Sequence, residues 1–185
     1  MGAEQAMEPV NAASLMRLVE LLGERIDKPL RLYLLGGSAM LLLGSPRATT
    51  DIDYDLAVDG LDPTTVRQTL TELADRLHLD LEFVPLAEFV PLPTGFAQRH
   101  RFVRRLGTVE LWIFDLYSRA LSKIARGFET DLEDVLFLVR QDLVAMSELR
   151  SMFEAILPRS WAADIDPAEF RQYFQEFERM WVRQA

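Results

Sequence analysis

Leu32-Tyr33-Leu34-Leu35-Gly36-Gly37-Ser38-Ala39, followed shortly by Arg47-Ala48-Thr49-Thr50-Asp51-Ile52-Asp53-Tyr54-Asp55, is the stretch whose reading decides the fold. An apolar run ends in a double glycine. The apolar segment from Ser38 to Leu43 then predicts a short helix, stopped by Gly44 and Pro46. Acidic and apolar residues alternate from Asp51, which predicts a strand through Val58. Strand side chains alternate between faces, so Asp51, Asp53 and Asp55 point one way and Ile52, Tyr54 and Leu56 the other. Like charges crowded on one face are costly unless a cation or open solvent relieves them. Magnesium is bound by carboxylate oxygens in an octahedron completed by water and phosphate.

Each half of this pattern has a plainer reading. The acidic strand could be a solvated edge, and the double glycine a tight turn. An EF-hand would need Gly at the sixth position and Glu at the twelfth, where Leu56 and Asp62 stand. No Gly-Lys-Ser/Thr follows the glycines, so this is not a Walker loop. The combination of glycine turn, helix and acidic strand in order is what points to a bound nucleotide and its metal ion.

Working outward, Leu15, Leu18, Val19, Leu22 and Ile26 mark one face of a helix that Asn11 can cap, behind a frayed first ten residues. Leu30–Leu35 reads as a buried strand. Asp62-Pro63 opens a helix to about Leu77, and Leu79–Val84 is a strand. Residues 85–98, with three prolines and a glycine, read as a long loop. A hairpin over Arg101–Arg105 and Thr108–Phe114 turns at Gly107. Asp115 can cap a helix that Gly127 ends. Thr130 to Glu133 spells a capping box for a fourth helix running past Met152 to Leu157. A last helix starts at Asp166-Pro167. Its aromatic stripe of Phe170, Tyr173, Phe174, Phe177 and Trp181 reads as core. The fold class is therefore α+β: a small mixed sheet flanked by helices, with a helical C-terminal half.

The 185 residues carry a formal net charge of −9, which argues against a broad nonspecific grip on nucleic acid. No cysteine is present, which removes disulfides, thiolate metal sites and cysteine nucleophiles. No apolar run spans a membrane and no signal peptide is apparent, so a cytoplasmic protein without membrane contact is expected. Lys28 and Lys123 are the two lysines, against eighteen arginines.

Gly36-Gly37-Ser38-Ala39 with Arg47-x-Thr49-x-Asp51-x-Asp53 resembles the signature of the polymerase-beta-type nucleotidyltransferase superfamily. More narrowly it is similar to a minimal bacterial group that includes abortive-infection toxin nucleotidyltransferases. The likeness covers roughly residues 30–140. The N-terminal helix and the last forty or so residues lie outside it; the expected organisation is an N-terminal helix over 1–29, a catalytic core over 30–115 and a helical region over 116–185 packed on that core. The implied reaction is a Mg2+-dependent transfer of a nucleoside monophosphate from an NTP such as ATP to a hydroxyl. The acceptor would be a tRNA end, a protein side chain or a small molecule, and a toxin would have an antitoxin partner.

By the same resemblance Gly36, Gly37 and Ser38 contact the triphosphate, with Arg47 near the nucleotide, and Asp51 and Asp53 are the paired metal ligands. Relatives place a third acid on the strand before a lysine-bearing helix. That position favours Glu110 here, as Glu where Asp is usual, with Glu82 or Asp80 as the alternatives. Lys123 would neutralise phosphate. It falls with Arg119 and Arg126 on one face of its helix, where a solvated charged face is the plainer reading. Asp131 and Asp134 serve the next helix dipole or orient Lys123 and Arg126. The basic cluster of Gln98-Arg99-His100-Arg101 and Arg104-Arg105 is either a guarded hairpin edge or a surface for RNA phosphates. A catalytically silent binding module acting through protein contacts is the alternative function, disfavoured by the joint presence of Gly37, Asp51, Asp53 and Lys123.

Overall fold

The computed structural model describes residues 9–184, so most of the N-terminal stretch expected to fray lies outside the described residues. The described residues divide into two compact units: residues 9–84 with 101–113, and residues 85–100 with 114–184.

The first unit is a mixed sheet with helices. Its strands are β1 (Leu30–Leu34), β2 (Asp51–Val58), β3 (Asp80–Phe83), β4 (Arg101–Leu106) and β5 (Val109–Ile113). Their spatial order is β3-β2-β1-β5-β4. β1 runs antiparallel to β2 and parallel to β5, β2 runs parallel to β3, and β4 and β5 form the expected hairpin. Helices α1 (Ala12–Arg25), α2 (Gly36–Leu42) and α3 (Pro63–Leu77) complete the unit. Asn11 and Ser14 form a reciprocal cap on α1, and Asp62 caps α3 with Pro63 at its first turn.

Alternation decides the sheet's two faces. Leu30, Leu32 and Leu34, Ile52 and Tyr54, and Val109 and Leu111 are buried together with Leu15, Leu18, Leu22, Val66, Leu70 and Leu73 of the helices. Each such side chain contributes about 1.5–3 kcal/mol when fully buried. The other face carries the acids.

The second unit is helical. α4 (Leu86–Phe89) and a 3₁₀ turn (Phe96–Arg99) occupy the stretch expected to be a plain loop. α5 (Leu116–Arg126) begins at an Asp115 cap and ends at Gly127, which has a φ of +69°. α6 (Glu129–Arg140) starts one residue before Thr130. Phe128 is its N-cap without a side-chain bond, so the Thr130–Glu133 capping box does not form. Nor does this helix continue to Leu157. Asp142 has a φ of +52°, and a new helix α7 (Met146–Ile156) follows the break. α8 (Pro167–Gln184) completes the unit. Phe170, Phe174 and Phe177 are core, and the Phe174 ring stacks on Phe153 at 4.0 Å between centroids.

In the first unit, α1 crosses the hairpin turn at Gly23. A Cβ on Gly23 would lie 2.4 Å from the Leu106 carbonyl oxygen. Helix propensity alone makes Gly→Ala favourable by about 1 kcal/mol. Here the clash is with backbone, so Gly23→Ala is expected to destabilise by about 1–3 kcal/mol. Urea denaturation of the variant measures this; a stability equal to or above wild type would contradict the packing described.

Candidate functional site

The turn between β1 and α2 and the first half of β2 meet. Gly36 has a φ of +39°, and a Cβ built on it would lie 1.6 Å from Asp53 Oδ2. Only a residue without a side chain leaves room for that carboxylate. The Leu35 N–H donates to the Asp53 carbonyl at 2.9 Å, which holds the turn against β2. A Cβ on Gly37 would lie 2.3 Å from Thr49 Oγ1. The Thr49 hydroxyl in turn donates to Asp51 Oδ1 at 2.6 Å and orients that acid. Both glycines therefore make room for the acid-bearing strand. Thr49 was visible in the sequence motif two residues before Asp51, yet its orienting bond depends on a bend that only coordinates show.

β2 and β3 pair in parallel, with Asp53 opposite Glu82 and Asp51 opposite Asp80. Carboxylate oxygens of Asp51, Asp53 and Glu82 lie within 4.8 Å of one another. Asp51 and Asp53 are half-buried and Glu82 is exposed. The geometry therefore brings Glu82, one of the two alternatives, to the paired aspartates. Asp80 is exposed at the start of β3 and does not belong to that set.

Glu110 is placed elsewhere. It pairs in register with Arg31 on β1, whereas Asp53 lies beside Leu35. Four residues of strand separate those positions, roughly 13 Å. Arg105, Trp112 and Arg31 all donate to the Glu110 carboxylate. Arg105 foremost, with help from Trp112 and Arg31, holds its pKa below the usual carboxylate range. The expectation that Glu110 completes the metal set is corrected on this ground: its register position is wrong and its oxygens are already engaged.

Ser38 is fully buried, and its hydroxyl donates to the Leu35 carbonyl at 3.4 Å. Its side chain is thus turned inward rather than toward a ligand. Arg47 is exposed in the loop before β2.

Lys123 lies in the helical unit and is buried. Its Nζ donates to Asp131 Oδ1 and Asp134 Oδ2, both at 2.8 Å, and Arg126 joins Asp131 at 2.8 Å. An ammonium held by two buried carboxylates is internally neutralised. Asp131 and Asp134 orient it, as one of the readings had it. Arg119 is also buried whereas Arg126 is exposed, so the stripe on α5 is folded inward at Arg119 and Lys123 and solvated at its end.

The basic cluster proves largely structural at its N-terminal end. Arg99 donates through Nε and Nη2 to both oxygens of Asp115, each at 2.9 Å. The Asp115 N–H donates to His100 Nδ1 at 3.0 Å. Asp115 is fully buried and also receives the Ser118 hydroxyl at 2.6 Å. Nothing local in the sequence marks this junction beyond the helix cap.

Three carboxylates within reach of one ion are hard oxygen donors that suit Mg2+. The chain belongs to a family described as nucleotidyltransferases of unknown function (DUF6036), whose model matches residues 13–181. No curated protein matches the chain in sequence. Among solved structures it is similar to an antigenic nucleotidyltransferase-like protein from Paracoccidioides brasiliensis, at 16% identity and a TM-score of 0.49, over 89% of this chain and 95% of that one. No helix among the described residues is long and apolar enough to cross a membrane.

Two measurements bear on these placements. Like charges directly opposite on neighbouring strands are destabilising by about 0.2–1 kcal/mol. Glu82→Gln is therefore expected to raise Tm in EDTA by about 1–4 °C; a lower Tm would contradict the crowding of acids. Lys123→Met leaves two carboxylates buried without their partner. It is expected to cost about 3–5 kcal/mol in a denaturant titration, with a loss under about 1 kcal/mol contradicting the buried pair.

Proposed function

We propose that this chain is a metal-dependent nucleotidyltransferase of the polymerase-beta type. It would transfer a nucleoside monophosphate from an NTP to a hydroxyl. The observation that carries the reading is the Asp53 carboxylate lying in the space a Gly36 side chain would fill, with Asp51 and Glu82 oxygens within 4.8 Å.

Asp51, Asp53 and Glu82 would hold Mg2+, with Thr49 keeping Asp51 in place. When bound, the ion supplies charge neutralisation at the reacting phosphate and lowers the pKa of a bound hydroxyl. Backbone N–H groups of the turn at Gly36 and Gly37 would meet the triphosphate, and Ser38 would take part through its backbone rather than its buried hydroxyl. Arg47 is the cation we assign to the triphosphate, as an exposed guanidinium in the loop leading to Asp51.

The acceptor oxygen forms a bond to the α-phosphorus. The bond from that phosphorus to the bridging oxygen breaks, and pyrophosphate carries away the electron pair. Glu82, the exposed one of the three acids, would receive the hydroxyl proton.

The resemblance of the motif to toxin nucleotidyltransferases supports a finer setting. We place the protein as the toxin of a toxin–antitoxin pair, with a tRNA end as acceptor. The experiment is incubation with α-labelled NTPs, Mg2+ and total RNA. Label transfer is expected, and Asp53→Ala should lower it by at least about 100-fold. NTP binding with no transfer to RNA, protein or small molecule would favour the silent binding module instead.

A further inference from the structure

The acid-bearing face of the sheet continues away from the triad into a different chemistry. Directly paired residues share a face, and the register links Asp55 to Tyr33, Tyr33 to Trp112, and Trp112 to Phe102. Arg31 and Glu110 lie one same-face step along, with Arg105 opposite Glu110. Phe102 and Arg105 are three residues apart and in a regular strand would point to opposite faces. The register shift between Phe102 and Arg104 brings both onto this one.

The result is an aromatic and cationic surface on an otherwise acidic chain. Phe102 is 55% exposed although it sits beside Trp112, edge to face at 5.2 Å between centroids. The Arg31 guanidinium lies 5.9 Å from the Trp112 ring centre. At the end of this face a cavity of about 430 Å³ is lined by Arg31, Arg105, Glu110 and Asp59 with apolar residues of β1 and β2 and Pro29. Arginines alone would be ordinary edge protection, but edge protection has no use for an exposed phenylalanine.

We propose that this face binds a single-stranded nucleic acid. Bases would stack on Phe102 and Trp112, and phosphates would lie on Arg31 and Arg105. Rings serve every base because each has a π-face, and cations nearby track the backbone. Glu110 does not defeat this, because its charge is shared between two arginines, which leaves the trio one positive charge in excess. Two strand spacings and one same-face step separate Trp112 from Asp53, roughly 12 Å. A strand stacked here can therefore present its terminal hydroxyl to the triad; the inference rests on the transfer reading only in naming that strand as the acceptor.

The test is fluorescence anisotropy of the full chain with a short labelled single-stranded RNA and its duplex, in EDTA and without NTP. Single strand is expected to bind more tightly than duplex. Phe102→Ala should weaken binding by about 5- to 100-fold, and Phe102→Trp should restore it. Arg31→Ala should reduce the slope of log Kd against log salt by about 0.7. Unchanged affinity in both Phe102→Ala and Arg31→Ala would overturn the proposal, as would equal binding of duplex. RNA binding by wild type with no label transfer from any NTP supports this surface and sinks the transfer reading alone. Transfer to a protein or small molecule by wild type that binds no RNA overturns this surface alone.

Discussion

The carboxylate of Asp53 lies where any side chain at position 36 would have to be. That single steric fact fits the glycine turn to the strand that β1–β2 pairing already lays beside it. The glycine turn bends tightly because Gly36 adopts a positive φ, and the bend places the backbone of residues 35–37 against the start of β2. Thr49 fills the matching space over Gly37 and holds Asp51. Once both aspartates are set, the parallel pairing of β2 with β3 delivers Glu82. The metal-competent arrangement is thus a consequence of two missing side chains and one strand register.

Charge is sorted along the same sheet face. Acids occupy β2 and β3, while β1, β5 and β4 carry arginines and rings. Glu110 is the exception that shows the rule, because it survives among cations by taking three donors. A face so divided is negative at one end and carries the cations at the other.

The helical unit spends its charges differently. Asp115 is fully buried and satisfied by Arg99, Ser118 and its own helix start. Lys123 is enclosed by Asp131 and Asp134, tying α5 to α6. Breaking one partner of such pairs is costly, whereas keeping them adds little over apolar packing. Their contribution is to fix which helix faces which. A stripe of cations at helical spacing reads the same whether it meets solvent or is folded inward.

Local chemistry made much of this protein legible. The strands at Leu30 and Asp51, the helices capped by Asn11, Asp62 and Asp115, and the hairpin at Gly107 follow from periodicity and caps, which act over a few residues. Asp51 and Asp53 share a face by alternation alone, and Gly36 and Gly37 announce a turn. Three things waited for the tertiary structure. The choice of Glu82 over Glu110 depends on which residues pair across strands far apart in sequence. The inward turn of Lys123 depends on a second helix folding back over it. The joining of Phe102 and Arg105 on one face depends on a bulge in the pairing of β4 with β5. In each case the deciding interaction is between segments whose relative placement no short-range preference encodes.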